Sequence, residues 1–167
     1  FNLHHWFQRN DHHTSIDLDL FYTHFSNKIV PNYNTDPTKI IYDNLEGYSI
    51  SKGASFQMSH SFSIPLNISL GGTYLDVYTI NEGEKNIELF TPSFSGVFSI
   101  GYEWPLNKIK LDYTGRIMGP MYLPTYEEEL ARDEISPWYT LQHLKVEKRF
   151  TNKISAYLEI RKSQILE

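Results

Sequence analysis

Cysteine is absent from the 167 residues, which excludes a disulfide framework and any thiolate metal site. Its absence leaves the compartment open, because many envelope proteins do without disulfides. No apolar run approaches the roughly 20 residues of a membrane helix. The opening stretch FNLHHWFQRNDHH has no secretory h-region, and the chain starts at Phe1 in mid-pattern, as a piece of something longer would. A basic stripe is missing too: the formal net charge is -5 and the Lys and Arg residues are scattered, which argues against nucleic acid as a partner. Helical three-four spacing is confined to YEEELARDE (126–134), with room for one or two turns.

Aromatic rings are abundant instead, at 15% of the chain, with Tyr 12, Phe 10 and Trp 3. They sit in segments of period two. In FSGVFSIGYEW, Phe94, Gly96, Phe98, Ile100, Tyr102 and Trp104 share one side, and Ser95, Ser99, Gly101 and Glu103 share the other, with only Val97 breaking the polar set. A period of two specifies a β-strand with one apolar and one polar face. The pattern recurs in SIDLDLFYTHF, SFQMSHSF, LNISLGGTYLDVY, KIKLDYTGRI, LKVEKRF and ISAYLEIR. The chain is long enough for one domain, and it is expected to be all-β, with about seven to eight long strands, the opening segment being the candidate eighth.

Connection lengths carry more information than the strands. Turns near 9–14, 63–65, 105–108 and 151–153 are short, whereas 30–49, 80–92 and 119–137 are long, and the two kinds alternate strictly. In an antiparallel meander, successive connections lie at opposite ends of the sheet. All short turns therefore gather at one rim and all long loops at the other, which is the layout of an outer-membrane barrel.

Periodicity alone does not say whether the apolar face meets lipid or a protein core. Three features favour lipid. The polar faces are rich in Ser, Thr, Asn and Gly, which suits a wet lumen. Aromatics gather at strand ends, with Phe62, Tyr102 and Trp104 by the short turns and Tyr78, Phe90, Trp138 and Tyr139 by the long loops, as in interfacial girdles. The alternation also outruns the 5–6 residues usual for a soluble strand. The expected architecture is an antiparallel up-and-down transmembrane β-barrel segment. A soluble lipocalin-like binding barrel and a small closed eight-stranded outer-membrane barrel with a structural or adhesive role are the alternatives.

The residues YTGRIMGPMYLP (113–124) and SPWYTLQHLKVEKRFTNKISAYLEI (136–160), with LFYTHFSNKIVPNY, YDNLEGYSISKGASFQMSHSF and FTPSFSGVFSIGYEW before them, occur in an order that resembles the carboxy-terminal barrel portion of TonB-dependent outer-membrane receptors, of the kind common in Bacteroidetes. The resemblance covers residues 16–161. It implies that 1–167 is part of a wider, plugged barrel of about 22 strands, with no plug domain in this chain. It implies uptake of a scarce nutrient (metal chelate, haem, cobalamin or oligosaccharide) and a bacterial outer-membrane location. The implied partners are outer-membrane lipid, the rest of the barrel and its plug, the inner-membrane TonB complex acting through the plug, and a small-molecule or glycan ligand. An odd count of about seven strands would leave open edges near Ile16–Phe25 and Ile154–Arg161, each seeking a partner strand.

Ligand-contacting candidates lie in the long loops: Tyr33, Tyr42, Tyr122 and Tyr126, whose rings suit stacking, and Glu127 and Glu128 of the acidic run. The run Glu127, Glu128, Glu129, Asp133 and Glu134 lacks the spaced oxygen ligands of a calcium loop and reads as a solvated face. His4-His5 and His12-His13 point to opposite faces of a strand, so neither pair chelates alone. Asp17, Asp19, Glu103, Lys110, Asp112 and Arg116 share the polar face as lumen charges, without a nucleophile, base and orienting group together. No catalytic residue, cofactor or metal site is assigned, and no enzyme activity is expected.

Overall fold

The computed structural model describes residues 1–9, 11–32, 38–81, 83–124 and 133–166. Its strands are β1 (Asn2–Arg9), β2 (His12–Phe25), β3 (Ile29–Asn32), β4 (Ile41–Asn44), β5 (Gly47–Ser61), β6 (Leu66–Asn81), β7 (Glu84–Ile87), β8 (Phe94–Trp104), β9 (Ile109–Met118), β10 (Trp138–Arg149) and β11 (Ser155–Leu166). No helix occurs among the described residues. Eight long strands form one antiparallel sheet in the order β1-β2-β5-β6-β8-β9-β10-β11, each beside its neighbours in sequence. The short strand β7 extends the sheet on β6, and β3 with β4 forms a separate hairpin inside the first long connection. Short turns close β1/β2, β5/β6, β8/β9 and β10/β11, so the rim asymmetry expected from the connection lengths is present.

The eighth strand at the start is real, and it changes the count. β1 pairs with β2 from Asn2↔Asp19 to Arg9↔His12. The stretch Ile16–Phe25 is therefore not a sheet edge, and the odd count does not hold. The edges are β1 and β11: among the described residues β1 pairs only with β2 and β11 only with β10. A closed eight-stranded barrel would pair these two strands with each other, and they are not paired.

Register assigns every side chain to a face, because residues directly opposite in an antiparallel pair point the same way. One row across five strands reads Ile16, Met58, Leu70, Phe98, Gly115. The adjacent row reads Ser15, Ser59, Ser69, Ser99, Thr114. A one-residue slip would exchange these faces. The glycine in the apolar row has a packing reason: a Cβ on Gly115 would lie 2.3 Å from the Phe98 ring, which covers the gap from the neighbouring strand. Of the expected girdle residues, Tyr78, Tyr102, Trp104 and Trp138 fall on the apolar face, with the Tyr102 and Trp104 rings 4.5 Å apart. Tyr139 does not. It opposes Met118 and Ile165 and shares the polar face with Arg149 and Arg161.

The sheet is a single layer, so almost nothing covers the apolar face. Among the described residues only Leu45 and Ile50 are buried hydrophobics, whereas Leu70 is 49%, Ile160 56% and Leu158 65% exposed. A soluble barrel would turn these side chains into its interior. Here, large apolar side chains stay uncovered along the strands, far beyond the apolar patch an ordinary water-soluble monomer tolerates.

Candidate functional site: the long-loop rim and the polar wall

Two of the sequence-predicted ligand candidates can be placed. Tyr42 lies in β4 opposite Pro31 and is 66% exposed. Tyr122 forms an isolated antiparallel bridge with Ile135 and is 41% exposed. Tyr33, Tyr126, Glu127 and Glu128, and most of the expected helical turn, lie outside the described residues.

Among the described residues, contacts link the three long connections. Lys28 in the first meets Glu88 in the second, Nζ to Oε2 at 3.0 Å, with both side chains mostly shielded. The second joins the third through backbone bonds, Phe90 N–H donating to the Tyr122 carbonyl at 2.8 Å and Ser93 N–H to the Pro120 carbonyl at 3.4 Å, and Gly119 N–H donates to the Phe94 carbonyl at the start of β8 at 2.8 Å. Within the third, Leu123 N–H donates to Glu134 C=O at 2.8 Å and Ser136 N–H to Met121 C=O at 2.9 Å. Phe90 adopts φ 56°, a left-handed conformation that costs a bulky residue about 1–2 kcal/mol. The surrounding bonds hold it there, beside Tyr122. Phe90, expected in the girdle, lies instead in the loop between β7 and β8, 46% exposed. No periodic signal marks a single left-handed residue.

This rim is acidic. Residues 26–46, 82–93 and 119–137 contain eleven Asp and Glu against four Lys and Arg, although the whole chain is only at -5. The rest of the chain is therefore slightly basic.

The polar wall is ordered differently. On β8–β11, register alternates the signs: Glu103, Lys110 and Glu147 form one row, and Asp112, Lys145 and Glu159 form another. Pairs two apart on one strand reinforce this, with Lys110–Asp112 at 3.0 Å, Lys145–Glu147 at 3.5 Å and Arg161–Glu159 at 3.2 Å. His143 Nε2 stands 3.6 Å from Glu159. On β1, His4 contacts Asp17. Ser59 and Ser69 hydroxyls meet at 3.0 Å across β5/β6. These pairs are water-facing and individually weak, and among the described residues no cluster of three or more His, Asp or Glu is arranged to hold a metal. What the wall offers is an exposed polar surface with balanced charge, interrupted by Val97, Leu141 and Ile165. It can pack against another polar body or pass a hydrated solute.

No curated protein sequence matches the chain. Among solved structures, it is similar over 90% of its length to a chain in the Pseudomonas aeruginosa FpvA complex with a heterologous pyoverdine and iron (TM-score 0.65, 20% identity). It is similar over 96% of its length to one in the FpvAI–pyocin S2 complex (TM-score 0.67, 20% identity). It spans only 21% and 22% of those chains, and at this identity they speak for the fold alone. The family model described as "TonB dependent receptor-like, beta-barrel" matches residues 5–161, nearly the whole sheet with its alternating rims, and the chain belongs to the TonB-dependent receptor β-barrel family.

Proposed function

We propose that this chain is barrel wall and outer loops of a TonB-dependent receptor that imports a scarce nutrient across the bacterial outer membrane. The observation that supports this best is the single-layer sheet whose apolar face the chain leaves uncovered. On this reading that face meets outer-membrane lipid and the polar wall surrounds a plug. Further strands continue the sheet at both edges, where unpaired backbone groups in hydrocarbon would cost several kcal/mol each. The plug and remaining strands belong to the rest of the receptor, and the inner-membrane TonB complex acts through the plug. Short turns face the periplasm and the acidic rim faces outward.

Ligand contact is assigned to Tyr42 and Tyr122, with Tyr33, Tyr126, Glu127 and Glu128 as further candidates on the same rim. The acid excess disfavours polyanions and suits a neutral or cationic ligand, such as a metal chelate or a glycan. Deletion of the receptor gene, followed by growth on iron chelates, haem, cobalamin or oligosaccharides as limiting nutrient, identifies the ligand. Uptake should then need TonB, while binding to intact cells should not. Tyr42→Ala with Tyr122→Ala should weaken binding without reducing the amount assembled. Uptake that persists without TonB would make this a passive barrel instead.

A further inference from the structure

We propose that His12 and His60 form a two-histidine site for a divalent transition-metal ion (Zn²⁺, Cu²⁺ or Ni²⁺) on the apolar face at the short-turn rim. The site is independent of the ligand the receptor imports. In sequence His12 stands beside His13, but the two point to opposite faces. His13 stacks on Trp6 on the polar side, ring centroids 6.4 Å apart. The spatial partner of His12 is 48 residues away: its Nδ1 lies 3.4 Å from Nε2 of His60 on β5. A tetrahedral ion with metal–nitrogen distances of about 2.0–2.1 Å holds two donor nitrogens about 3.3–3.4 Å apart. The pair already has that bite.

The surroundings favour coordination. His60 Nδ1 is 2.6 Å from Oγ1 of Thr14, a residue only 3% exposed. When Nδ1–H donates to that hydroxyl, the Nε2 lone pair is left facing His12, which is how a metal-bound imidazole is normally oriented. Phe62 sets its ring edge-on to both imidazoles, centroids at 6.1 and 4.2 Å, and fixes their planes. Imidazole donors suit zinc, copper and nickel rather than calcium or magnesium. Among the described residues no third His, Asp or Glu completes the set, so the remaining positions are open to water at the headgroup boundary. The ion would fasten β2 to β5 beside their turns.

The test uses the full-length receptor in detergent, titrated with Cu²⁺ and followed by electron paramagnetic resonance, with Zn²⁺ as competitor. The wild type should show a saturable site with hyperfine structure from two imidazole nitrogens. His12→Phe and His60→Phe, which keep a ring against Phe62, should each abolish that signature, while His13→Phe should leave it intact. Thr14→Val should weaken binding about 10–100-fold. Heat-modifiable gel mobility verifies that every variant is assembled. The same two-nitrogen signature in assembled His12→Phe or His60→Phe protein, its loss in His13→Phe, or no saturable site in the wild type overturns the proposal.

Discussion

Replacing Ile100 with Arg tests the assignment of faces, and the structure sets its magnitude. β8 runs from Phe94 to Trp104. It is bracketed by rings at both ends: Tyr102 against Trp104 at 4.5 Å, and Phe94 against Trp138 at 5.8 Å. A strand rising about 3.4 Å per residue and tilted about 45° climbs roughly 24 Å between those rings, close to the apolar band of about 25 Å in outer-membrane barrels. Ile100 lies four residues above Trp104, about 10 Å up, near the midplane. It opposes Ile68 and Tyr113 on the apolar face. Arg there should cost about 2–4 kcal/mol, or roughly 30- to 700-fold in the folding equilibrium. Its neighbour Ser99 lies between Ser69 and Thr114 on the other face, and Ser99→Arg should cost no more than about 0.5 kcal/mol. The assay is urea-dependent folding of the full receptor into lipid vesicles. Equal losses for the two variants would refute the face assignment, and a larger loss at Ser99 would invert it.

Three further outcomes follow from the same geometry. Cysteine at Asn107 or Asn152 should react with a membrane-impermeant thiol reagent only after the outer membrane is permeabilised, and cysteine at Asn86 should react on intact cells; the opposite pattern would reverse the orientation. Gly115→Ala should destabilise by about 1–3 kcal/mol through overpacking, because the new methyl would meet the Phe98 ring at 2.3 Å; in a Phe98→Ala background the same change should cost little, and equal cost in both backgrounds would show that the ring is not the obstacle. Lys110→Glu places a carboxylate beside Asp112 and opposite Glu103 and Glu147, and should cost about 1 kcal/mol, a loss that shrinks in high salt. A salt-independent loss would mean that charge is not its cause.

The long strands were legible because lipid and lumen impose opposite demands on alternate residues, which a period of two records directly. The rims were legible because turn lengths alternate. Other features depend on register or on exceptions to pattern. β1 reads as NLHHWFQR, where His5 and Arg9 occupy the apolar face and blur the alternation, so its status as a full strand was only half visible. The hairpin β3/β4 includes Pro31, and β7 carries Glu84 and Lys85; both are held by a partner strand rather than by their own pattern. The hydroxyl row from Ser15 to Thr114 and the alternating charges of β8–β11 emerge only once strands are aligned. The His12–His60 contact joins residues 48 apart, beyond any local motif. On the rim, composition singles out Tyr42 and Tyr122 as candidates, whereas Phe90 owes its place to one left-handed backbone angle.

Collision accessibility of nitroxide labels, introduced one at a time from Ser95 to Glu103 in the full receptor reconstituted into vesicles, tests most directly whether the uncovered apolar face meets lipid. Labels at Gly96, Phe98, Ile100 and Tyr102 should collide readily with oxygen and poorly with a nickel chelate, and those at Ser95, Val97, Ser99, Gly101 and Glu103 should not show that oxygen preference. An oxygen preference confined to the even-numbered positions locates that face in hydrocarbon. Even-numbered labels shielded from both reagents would instead place that face inside a protein core, and the membrane-wall reading would fall.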